Sequence, residues 1–488
     1  MAPALHIATA AGETLGLRAI FGPYMIVFFV GFFVAFALTP VLRVLAVRNG
    51  IIDWPDLNRK SHPRPVAYLG GLALFLGWLA AVLVSYFAAP RSSVIATHGF
   101  VYLPIGVVLG AGAVTLTGLF DDVYGVSPRV KVGGQLFAAA ALSMQDTGLN
   151  LVSHAFTAFG LNCPPLLAYI LGGVLITVLV LGGCNAMNLL DGLDGLATGI
   201  GAIAALGFLL IAGLLTLDHL AAGQAPTDLA NDPMRLVMCL ALLGALLGFL
   251  PYNFNPATIF LGDAGSLLLG YLCISAMLLF ATSPESSGAI GAPLKTVTAC
   301  LIVFAVPIID TSLAIFRRTL RGQPLLSPDR EHIHHLLRRS GLSVRQVVLL
   351  LYLLAGAFAV VGVSLVALDL RWRYMLAVFV VLYGFVTVSA YKYGQNRRAL
   401  AQQSGAGAGQ PANVDHALLA GAEGSDQPAT PGEVKSPATN GEPDGAEAAN
   451  GERAAGQSSP TNGNGNGKPA DHEAGEPGSA DTLEPPAR

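Results

Sequence analysis

Acidic, amide and histidine side chains concentrate in four short segments of this 488-residue chain. Each segment lies beside or between apolar stretches, where an ionisable group costs several kcal/mol unless it is paired or has a function. If the apolar stretches cross a membrane, all four segments emerge on the same side. Their carboxylates could hold a divalent cation, and their cationic groups could bind phosphate oxygens. The segments are residues 120–131, 185–196, 253–266 and 329–337.

Two neighbouring carboxylates, Asp121 and Asp122, characterise the first segment. They repel one another unless a cation or hydrogen-bond donors compensate their charge. Mg²⁺ is a natural partner, because it takes oxygen ligands and commonly bridges to substrate phosphates. An ordinary helix end would also explain the pair, and the pair alone does not decide between these two interpretations.

A regular polar spacing marks the second segment, where Asn185, Asn188, Asp191 and Asp194 recur at every third position. This spacing rotates successive side chains by about 60° on an α-helix and nearly eclipses them on a 3₁₀ turn, so they can line one wall. A glycine after each aspartate lets backbone amides approach a ligand closely. A polar helix end is the alternative, but it does not explain the uniform spacing.

A single carboxylate, Asp263, lies between Gly262 and Gly265 in the third segment. Such a turn can project the carboxylate beside exposed N–H groups at a helix start, which favours a corner for a metal and a phosphate. Asn253, earlier in the segment, is a candidate for binding a nucleotide or diphosphate. A helix N-cap at Asp263 is the competing explanation.

Histidines distinguish the fourth segment, where His332, His334 and His335 lie among arginines. A zinc site would need further ligands, and no cysteine or other histidine is suitably placed. The arginines favour phosphate recognition, and a solvated loop is the third interpretation. Upstream, Asp310 lies inside an apolar stretch, about two helical turns before Arg317 and Arg318, and is expected to support the site from below.

A further polar loop, residues 53–71, carries Lys60 and His62 beside prolines and a glycine pair. Its cationic groups could donate to phosphate oxygens. A positively charged membrane anchor is the simpler explanation. The proline and glycine residues favour a shaped loop.

Membrane helices must position these segments. Hydrophobic residues make up 53% of the chain and charged residues 12%, against roughly 25% charged in soluble domains. Because one crossing needs about 20 apolar residues, the sequence predicts an all-α polytopic membrane protein with about eleven transmembrane helices. The predicted spans are residues 24–42, 67–88, 101–119, 132–145, 166–184, 196–217, 234–251, 265–282, 295–316, 347–368 and 373–391.

Basic residues predict the orientation, because Lys and Arg remain on the cytoplasmic side. With the N-terminus outside, 17 of them lie on the inner side of the membrane and 6 on the outer side. This bias favours an N-out, C-in topology with all four segments in the cytoplasm, and it requires the short span 132–145 to cross. The N-terminus lacks a basic region followed by a small-residue cleavage site, so the first span is predicted to be retained rather than cleaved as a signal peptide. In the N-out topology, residues 1–23 are then an extracytoplasmic segment.

Residues 399–488 differ in composition from residues 24–398, the predicted transmembrane domain. They are dominated by Gly, Pro, Ala, Asn and Glu and carry 13 acidic against 4 basic residues. Such a segment cannot bury an apolar core, so we expect a disordered, acidic cytoplasmic tail. The five cysteines are scattered, and we expect no redox or metal role for them.

The chain resembles the polyprenyl-phosphate N-acetylhexosamine-1-phosphate transferase family over about residues 24–395. The resemblance rests on the motifs RKSHPRPVAYLGG, FDD, NAMNLLDGLDGLA, NFNPATIFLGDAGS and HIHH. HIHH is similar to the motif of the WecA/TagO branch rather than that of MraY. The resemblance implies a Mg²⁺-dependent enzyme, with Mn²⁺ as an alternative metal, in the inner membrane. It would transfer a sugar 1-phosphate, most often from UDP-GlcNAc, to undecaprenyl phosphate and release UMP.

Phosphoryl transfer depends mainly on positioning and charge neutralisation, and this assigns roles to the polar residues. We expect Asp263 to bind the metal and Asp191 to share it or to hold its waters. Asp121 and Asp122 would orient the lipid phosphate or accept its proton. The remaining candidates would bind substrate: Lys60, His62, Asn185, Asn188, Asp194, Asn253, His332, His334 and His335.

A polytopic transporter or lipid flippase is the alternative, because it too needs polar groups within the membrane. Transporters commonly contain internal repeats and bind substrate near the bilayer midplane. This sequence shows no such repeat, and its motifs lie at span ends on one side. No nucleic-acid partner is expected, and a homodimer is compatible with the resemblance.

Overall fold

The computed structural model describes residues 7–8, 14–15, 20–54, 65–88, 103–221, 231–281, 292–320, 322 and 332–403. Two short antiparallel pairs, β1 (Ile7–Ala8) with β2 (Thr14–Leu15) and β3 (Ile52–Asp53) with β4 (Val66–Ala67), accompany the helices. The helices are α1 (Met25–Arg48), α2 (Gly70–Ala88), α3 (Ile105–Tyr124), α4 (Pro128–Ser143), α5 (Thr147–Ala158), α6 (Pro165–Leu190), α7 (Leu196–Ala221), α8 (Asn231–Asn253), α9 (Gly262–Leu279), α10 (Ala292–Val303), α11 (Ala305–Leu320), α12 (Ile333–Arg339), α13 (Val344–Ala367) and α14 (Trp372–Gln403).

Within the described residues, nine helices are long and apolar enough to cross a membrane, and the bent pair α10 and α11 could make a tenth span. These nine are α1, α2, α3, α6, α7, α8, α9, α13 and α14, and each coincides with a predicted span. The all-α polytopic class is therefore confirmed. The N-out, C-in orientation stays a prediction.

The predicted span 132–145 is helical but short. Helix α4 contains 16 residues, about 24 Å of helix against a hydrocarbon core of about 30 Å. Helix α5, with 12 residues, follows it closely. Passage of α4 through the whole bilayer therefore depends on the distribution of basic residues and stays a prediction.

The predicted span 295–316 is formed by two helices rather than by one straight helix. Two helices, α10 and α11, meet there at an angle of 74° with Phe304 between them. Pro307 follows the break closely. It has no N–H to donate, and its ring would clash with the carbonyl group four residues earlier, on Val303, where α10 ends. Hydropathy alone does not reveal this break, because both halves are apolar.

Helix α9 is almost entirely buried and carries Asp263 in its first turn. It packs against α2 and α3 through glycines that let the backbones touch. A Cβ on Gly71 would lie 2.1 Å from the backbone nitrogen of Gly265, and one on Gly118 would lie 2.3 Å from that of Ala264. Small residues allow such close approach between membrane helices. These contacts determine where the first turn of α9 lies.

A buried charge network joins α7, α8 and α9 at the end remote from Asp263. Asp232 Oδ1 accepts a hydrogen bond from Arg235 Nη1 at 2.6 Å, and its Oδ2 lies 2.8 Å from Nδ1 of His219. Arg235 Nε also donates to the carbonyl of Leu279, the last residue of α9, at 3.0 Å. These pairings compensate charges that would otherwise be costly in a membrane.

Helix α14 extends to Gln403, past the predicted domain boundary at residue 398. The predicted tail beyond that helix lies outside the described residues. The predicted N-terminal segment, residues 1–23, is described only in part. The division into domains therefore stays a prediction.

Candidate active site

The carboxylate of Asp263 is the meeting point of α4, α6 and α9. Its Oδ1 accepts a hydrogen bond from Asn188 Nδ2 at 2.8 Å, and its Oδ2 pairs with the ammonium group of Lys131. Asn188 Nδ2 also donates to the hydroxyl of Ser266, one turn further along α9, at 2.9 Å. Asp263 is thus held from two sides near the N-terminus of α9, where the helix dipole favours negative charge.

Asp122, on α3, caps the helix that carries Asp263. Its Oδ1 accepts the backbone N–H of Asp263 at 2.7 Å, and its Oδ2 accepts that of Ala264 at 3.0 Å. The first N–H groups of a helix have no partner within the helix, so both oxygens of Asp122 are engaged there. Asp263 is therefore not the N-cap of its own helix, because α9 is capped by a carboxylate from elsewhere in the chain.

Gly262 makes this contact geometrically feasible. Its φ is +70°, a conformation that residues with a Cβ rarely adopt. A Cβ at this position would also lie 2.5 Å from Oδ2 of Asp122. Both the turn and the close approach of Asp122 therefore favour glycine.

Asp121, the other carboxylate of the adjacent pair, faces Lys131. Its Oδ2 lies 2.7 Å from Lys131 Nζ, and its Oδ1 accepts the backbone N–H of Val126 at 2.9 Å. Burial by itself would lower the pKa of Lys131, but its hydrogen bonds to Asp121 and Asp263 and their charges raise that pKa above its ordinary value. Lys131 therefore remains a cation between two carboxylates.

Lys131 is a residue that the sequence-based assignment missed. The available signal was its position in the same segment as the Asp121 and Asp122 pair. One basic residue in a segment predicted to be cytoplasmic has a ready explanation as a membrane anchor. Its contacts with Asp121 and Asp263 distinguish Lys131 from the nearby Arg129.

Asp194, in the loop between α6 and α7, binds the loop that precedes α9. Its Oδ2 accepts hydrogen bonds from Asn255 Nδ2 at 2.9 Å and from the backbone N–H of Ala257 at 3.0 Å. Arg345 Nε, from α13, donates to the carbonyl of Asn255 at 3.1 Å. The hydroxyl of Tyr352, also on α13, donates to the carbonyl of Gly195. These bonds tie the two loops to α13.

Asp191 lies near the other carboxylates of the site. Burial raises the pKa of its carboxyl group well above the ordinary value, and the negative charges of Asp263, Asp122 and Asp194 raise it further. A divalent cation placed among these groups would relieve the repulsion. The electrostatics around Asp191 therefore fit a cation-binding role.

The donor set fits Mg²⁺ when the substrate completes it. In the part of the chain that the structure describes, no three side chains of the His, Cys, Asp and Glu types are disposed to hold a metal by themselves. Mg²⁺ does not require such a set, because it commonly uses one or two carboxylates together with substrate phosphates and water. Asp263 and Asp191 could supply those carboxylates.

Two other predicted ligands, Asn253 and Asn185, form bonds within the protein. Asn253 Oδ1 accepts from the hydroxyl of Thr198 at 2.7 Å, and its Nδ2 donates to the carbonyl of Ile259 at 3.1 Å. Asn185 Nδ2 donates to Oε1 of Gln135, on α4, at 2.9 Å. Both asparagines thus hold the elements around the site together. Their contact with substrate stays a prediction.

The three histidines lie together at the start of α12. The ring centroids of His332 and His334 are 5.7 Å apart with nearly parallel planes, and those of His334 and His335 are 4.3 Å apart. A Cβ on Gly192, in the loop after α6, would lie 2.5 Å from Nε2 of His334. Burial, followed by the charge of His335, lowers the pKa of His334 to about 3. His334 is therefore neutral near neutral pH.

The hairpin of β3 and β4 lies beside the start of α9. The carbonyl of Ala67 in β4 accepts the backbone N–H of Phe260 at 2.8 Å. Tyr68 comes next, and burial together with nearby carboxylates raises the pKa of its phenol. Lys60 and His62, which follow β3 and precede β4 in the sequence, lie outside the described residues, so their role in phosphate binding stays a prediction.

The convergence of the four polar segments is confirmed for their described residues. The first and third segments meet at Lys131 and Asp263, and the second joins them through Asn188. The second and fourth meet where Gly192 lies against His334. The site lies at the common end of α3, α6 and α8 and at the opposite end of α9 from Leu279. The proposed roles of the individual residues remain predictions.

Known proteins are similar to this chain. It matches the family model described as glycosyl transferase family 4 over residues 104–281. It is 37% identical over 344 residues to the decaprenyl-phosphate N-acetylglucosaminephosphotransferase of Mycolicibacterium smegmatis, covering 69% of this chain and 80% of that protein. It is 30% identical over 374 residues to the undecaprenyl-phosphate alpha-N-acetylglucosaminyl 1-phosphate transferase of Yersinia pestis, covering 74% and 90% of the two chains.

Proposed function

The chain belongs to glycosyl transferase family 4, and we propose that it transfers N-acetylglucosamine 1-phosphate from UDP-GlcNAc to a polyprenyl phosphate, with release of UMP. The two relatives support the transferred group and the acceptor class, because both are named for such a transfer. One is named for decaprenyl phosphate and the other for undecaprenyl phosphate. We propose undecaprenyl phosphate as the acceptor.

The surroundings of Asp263 carry this proposal. Its carboxylate lies between the cation of Lys131 and the amide of Asn188, at the start of a buried helix. Anionic phosphates need positive groups and N–H donors, while a bridging metal needs carboxylates. This one location offers both kinds of group.

The proposed reaction is a displacement at phosphorus. An oxygen of the lipid phosphate attacks the sugar-bearing phosphorus of the UDP-sugar and forms a new P–O bond. The bond from that phosphorus to the bridging oxygen breaks, and UMP leaves with the bridging oxygen. Such reactions depend on in-line positioning and on neutralisation of the charge that develops.

Some of the described residues would act on the lipid phosphate, and others on the phosphates of the UDP-sugar. Asp121, rather than Asp122, would steer the lipid phosphate, because Asp121 faces the cation of Lys131 whereas Asp122 binds the backbone of α9 through both oxygens. Lys131 offers a cation to a phosphate oxygen while remaining beside Asp121. His332 and His335 would bind phosphate oxygens of the donor.

Mg²⁺, or Mn²⁺ in its place, would be held by Asp263 and Asp191. When bound, it would offset the negative charge of the diphosphate and of the leaving UMP. The protein's own contribution is to hold Asp263 in one orientation, through Asn188 and Lys131.

The chain is a multi-pass membrane protein, and we further propose that its active site faces the cytoplasm from the inner membrane. Support comes from the basic residues, of which 17 lie on the side of the polar segments in the predicted topology and 6 on the other. Positive residues are retained on the cytoplasmic side.

A UMP-release assay tests the proposed function. Purified full-length protein in detergent is given UDP-GlcNAc, undecaprenyl phosphate and Mg²⁺, and both UMP and the lipid-linked sugar are measured. Both products should appear in equal amounts. UDP-GalNAc and decaprenyl phosphate serve as the alternative donor and acceptor. Failure to form UMP with any of these combinations would reject the transferase function.

A further inference from the structure

A carboxylate on α11, Asp310, contacts the first histidine of the cluster. Its Oδ2 lies 2.9 Å from Nδ1 of His332, and its Oδ1 accepts the backbone N–H of Ile333 at 2.8 Å. Asp310 is 1% exposed and His332 is 3% exposed. An ionisable group this deeply buried in a membrane protein is costly unless it is paired. Both oxygens of Asp310 have such partners.

The contact with Asp310 decides which nitrogen of His332 carries hydrogen. An ionised carboxylate can only accept hydrogen bonds, so Nδ1 of His332 must be the donor. The ring is then held in one orientation, with Nε2 as its other nitrogen. When Nε2 also carries a hydrogen, the cationic ring lies beside the negative charge of Asp310. Nε2–H can then donate to a phosphate oxygen, a charge-assisted and therefore strong bond.

The second oxygen of Asp310 sets the start of the helix that carries the other two histidines. Ile333 is the first residue of α12, and its N–H has no partner within that helix. One carboxylate thus orients both a ring and a short helix. It does so from α11, which bends by 74° from α10.

We propose that Asp310 is a positioning residue that orients His332 to bind a phosphate of the nucleotide sugar. It acts through His332 and does not touch the substrate. This inference deepens the proposed function and rests on it, because the phosphate-binding role of His332 belongs to that proposal.

A double-mutant cycle tests whether Asp310 acts through His332. Asp310→Asn, His332→Gln and the double variant are prepared as full-length protein, and kcat/KM for UDP-GlcNAc is measured by UMP release. Each single variant should lose about 10–100-fold, as happens when the carboxylate behind a metal-binding histidine is removed. The double variant should lie within about twofold of His332→Gln. A double variant whose loss in kcat/KM equals the product of the two single losses would overturn the proposal.

Asp369→Asn is the matched control for this cycle. Asp369 forms an ion pair with Lys295 and is 89% exposed at its side chain. It carries the same substitution without any contact to the histidines. Its kcat/KM should equal that of the unchanged protein, so a loss there as large as that of Asp310→Asn would contradict a specific role for Asp310.

Nitrogen NMR supplies a readout that needs no turnover and no variant of Asp310. In full-length protein with ¹⁵N-labelled histidine, the signals of His332 are those missing from His332→Gln. Nδ1 should be protonated, and addition of UMP should shift the Nε2 signal. An unprotonated Nδ1, or an Nε2 signal that UMP leaves unchanged, would overturn the proposal even if Asp310→Asn does not fold.

The two experiments separate failure of this proposal from failure of the proposed function. Absence of UMP release from the unchanged protein, together with the expected NMR signals, would reject transfer while retaining the role of Asp310 in phosphate binding. Normal transfer by the unchanged protein, with independent effects of the two substitutions in the cycle, would retain the transferase function and reject the role of Asp310.

Discussion

Asp122 accepts the backbone N–H of Asp263 at 2.7 Å, across 141 positions of the chain. The side chain of Asp263 has other partners, Lys131 and Asn188. The neighbour of Asp122, Asp121, shares Lys131 with that side chain. Two adjacent carboxylates on one helix therefore have different tasks, one holding a backbone and the other taking part in the charged cluster.

Asp122→Asn should destabilise the protein more than Asp121→Asn does. The asparagine has only one side-chain oxygen, so its NH₂ group would face one of the two backbone N–H groups that Asp122 now binds. That backbone N–H would lose its acceptor, at a cost of about 1–3 kcal/mol. The partly exposed ion pair of Asp121 is worth about 0–1 kcal/mol. Thermal unfolding in detergent compares the two variants, and equal midpoints would contradict the capping role of Asp122. Both variants should lose transferase activity.

Gly262→Ala should impair both stability and activity, with Gly125→Ala as the matched control. The two glycines have similar φ, +70° and +67°, so both substitutions carry a backbone cost of about 1–2 kcal/mol. Only at Gly262 would the Cβ also meet Asp122, whereas no atom lies within 4 Å at Gly125. Thermal midpoints and UMP release should therefore fall further for Gly262→Ala. A smaller loss than in Gly125→Ala would argue against the close contact.

Asp263→Asn should abolish transfer while the protein stays folded and monodisperse. The variant loses one carboxylate oxygen for the metal and with it charge neutralisation worth several kcal/mol in such sites. Rates are measured at saturating Mg²⁺, with Asp369→Asn as the control substitution. Activity within about tenfold of the unchanged protein would remove Asp263 from the proposed metal site.

Lys131→Met should lower the transfer rate by at least about 100-fold, the usual effect of removing a donor from developing charge. The same variant should bind Mn²⁺ more tightly in the absence of substrate, because the ammonium no longer competes for Asp263. Electron paramagnetic resonance measures free Mn²⁺ directly. Lys131→Arg, which keeps the charge, is the control. Weaker Mn²⁺ binding by Lys131→Met would show that Lys131 does not compete with the metal.

Cysteine labelling tests the crossing of α4. Ser127→Cys, just before α4, should react only from the cytoplasmic side, and Leu161→Cys, after α5, only from the outside. Both positions are exposed. The background carries Cys163→Ser, because Cys163 is the native thiol that is not buried. Reaction of both positions from one side would show that α4 does not cross, and the predicted orientation of every later span would reverse.

Composition and the lengths of the apolar stretches were enough to predict the fold class. Hydropathy depends only on the residue types within a short stretch of sequence, so it needs no knowledge of tertiary contacts. Nine predicted spans accordingly coincide with helices of the structure. The same local information placed Asp121, Asn188 and Asp263 at helix ends facing one side. Pro307 shows the limit of that method, because one residue without an N–H breaks a helix that average hydropathy treats as continuous.

Tertiary structure alone decided which polar groups are partners. The sequence does not distinguish Asp121 from Asp122, nor does it indicate that Lys131 pairs with Asp263 or that Asp310 holds His332. Lys131 and Asp263 are 132 positions apart and Asp310 and His332 are 22 apart, and each pair joins different helices, so contact depends on how closely the helices pack. Such packing follows from glycine contacts between α2, α3 and α9, where removal of a Cβ brings two backbones together.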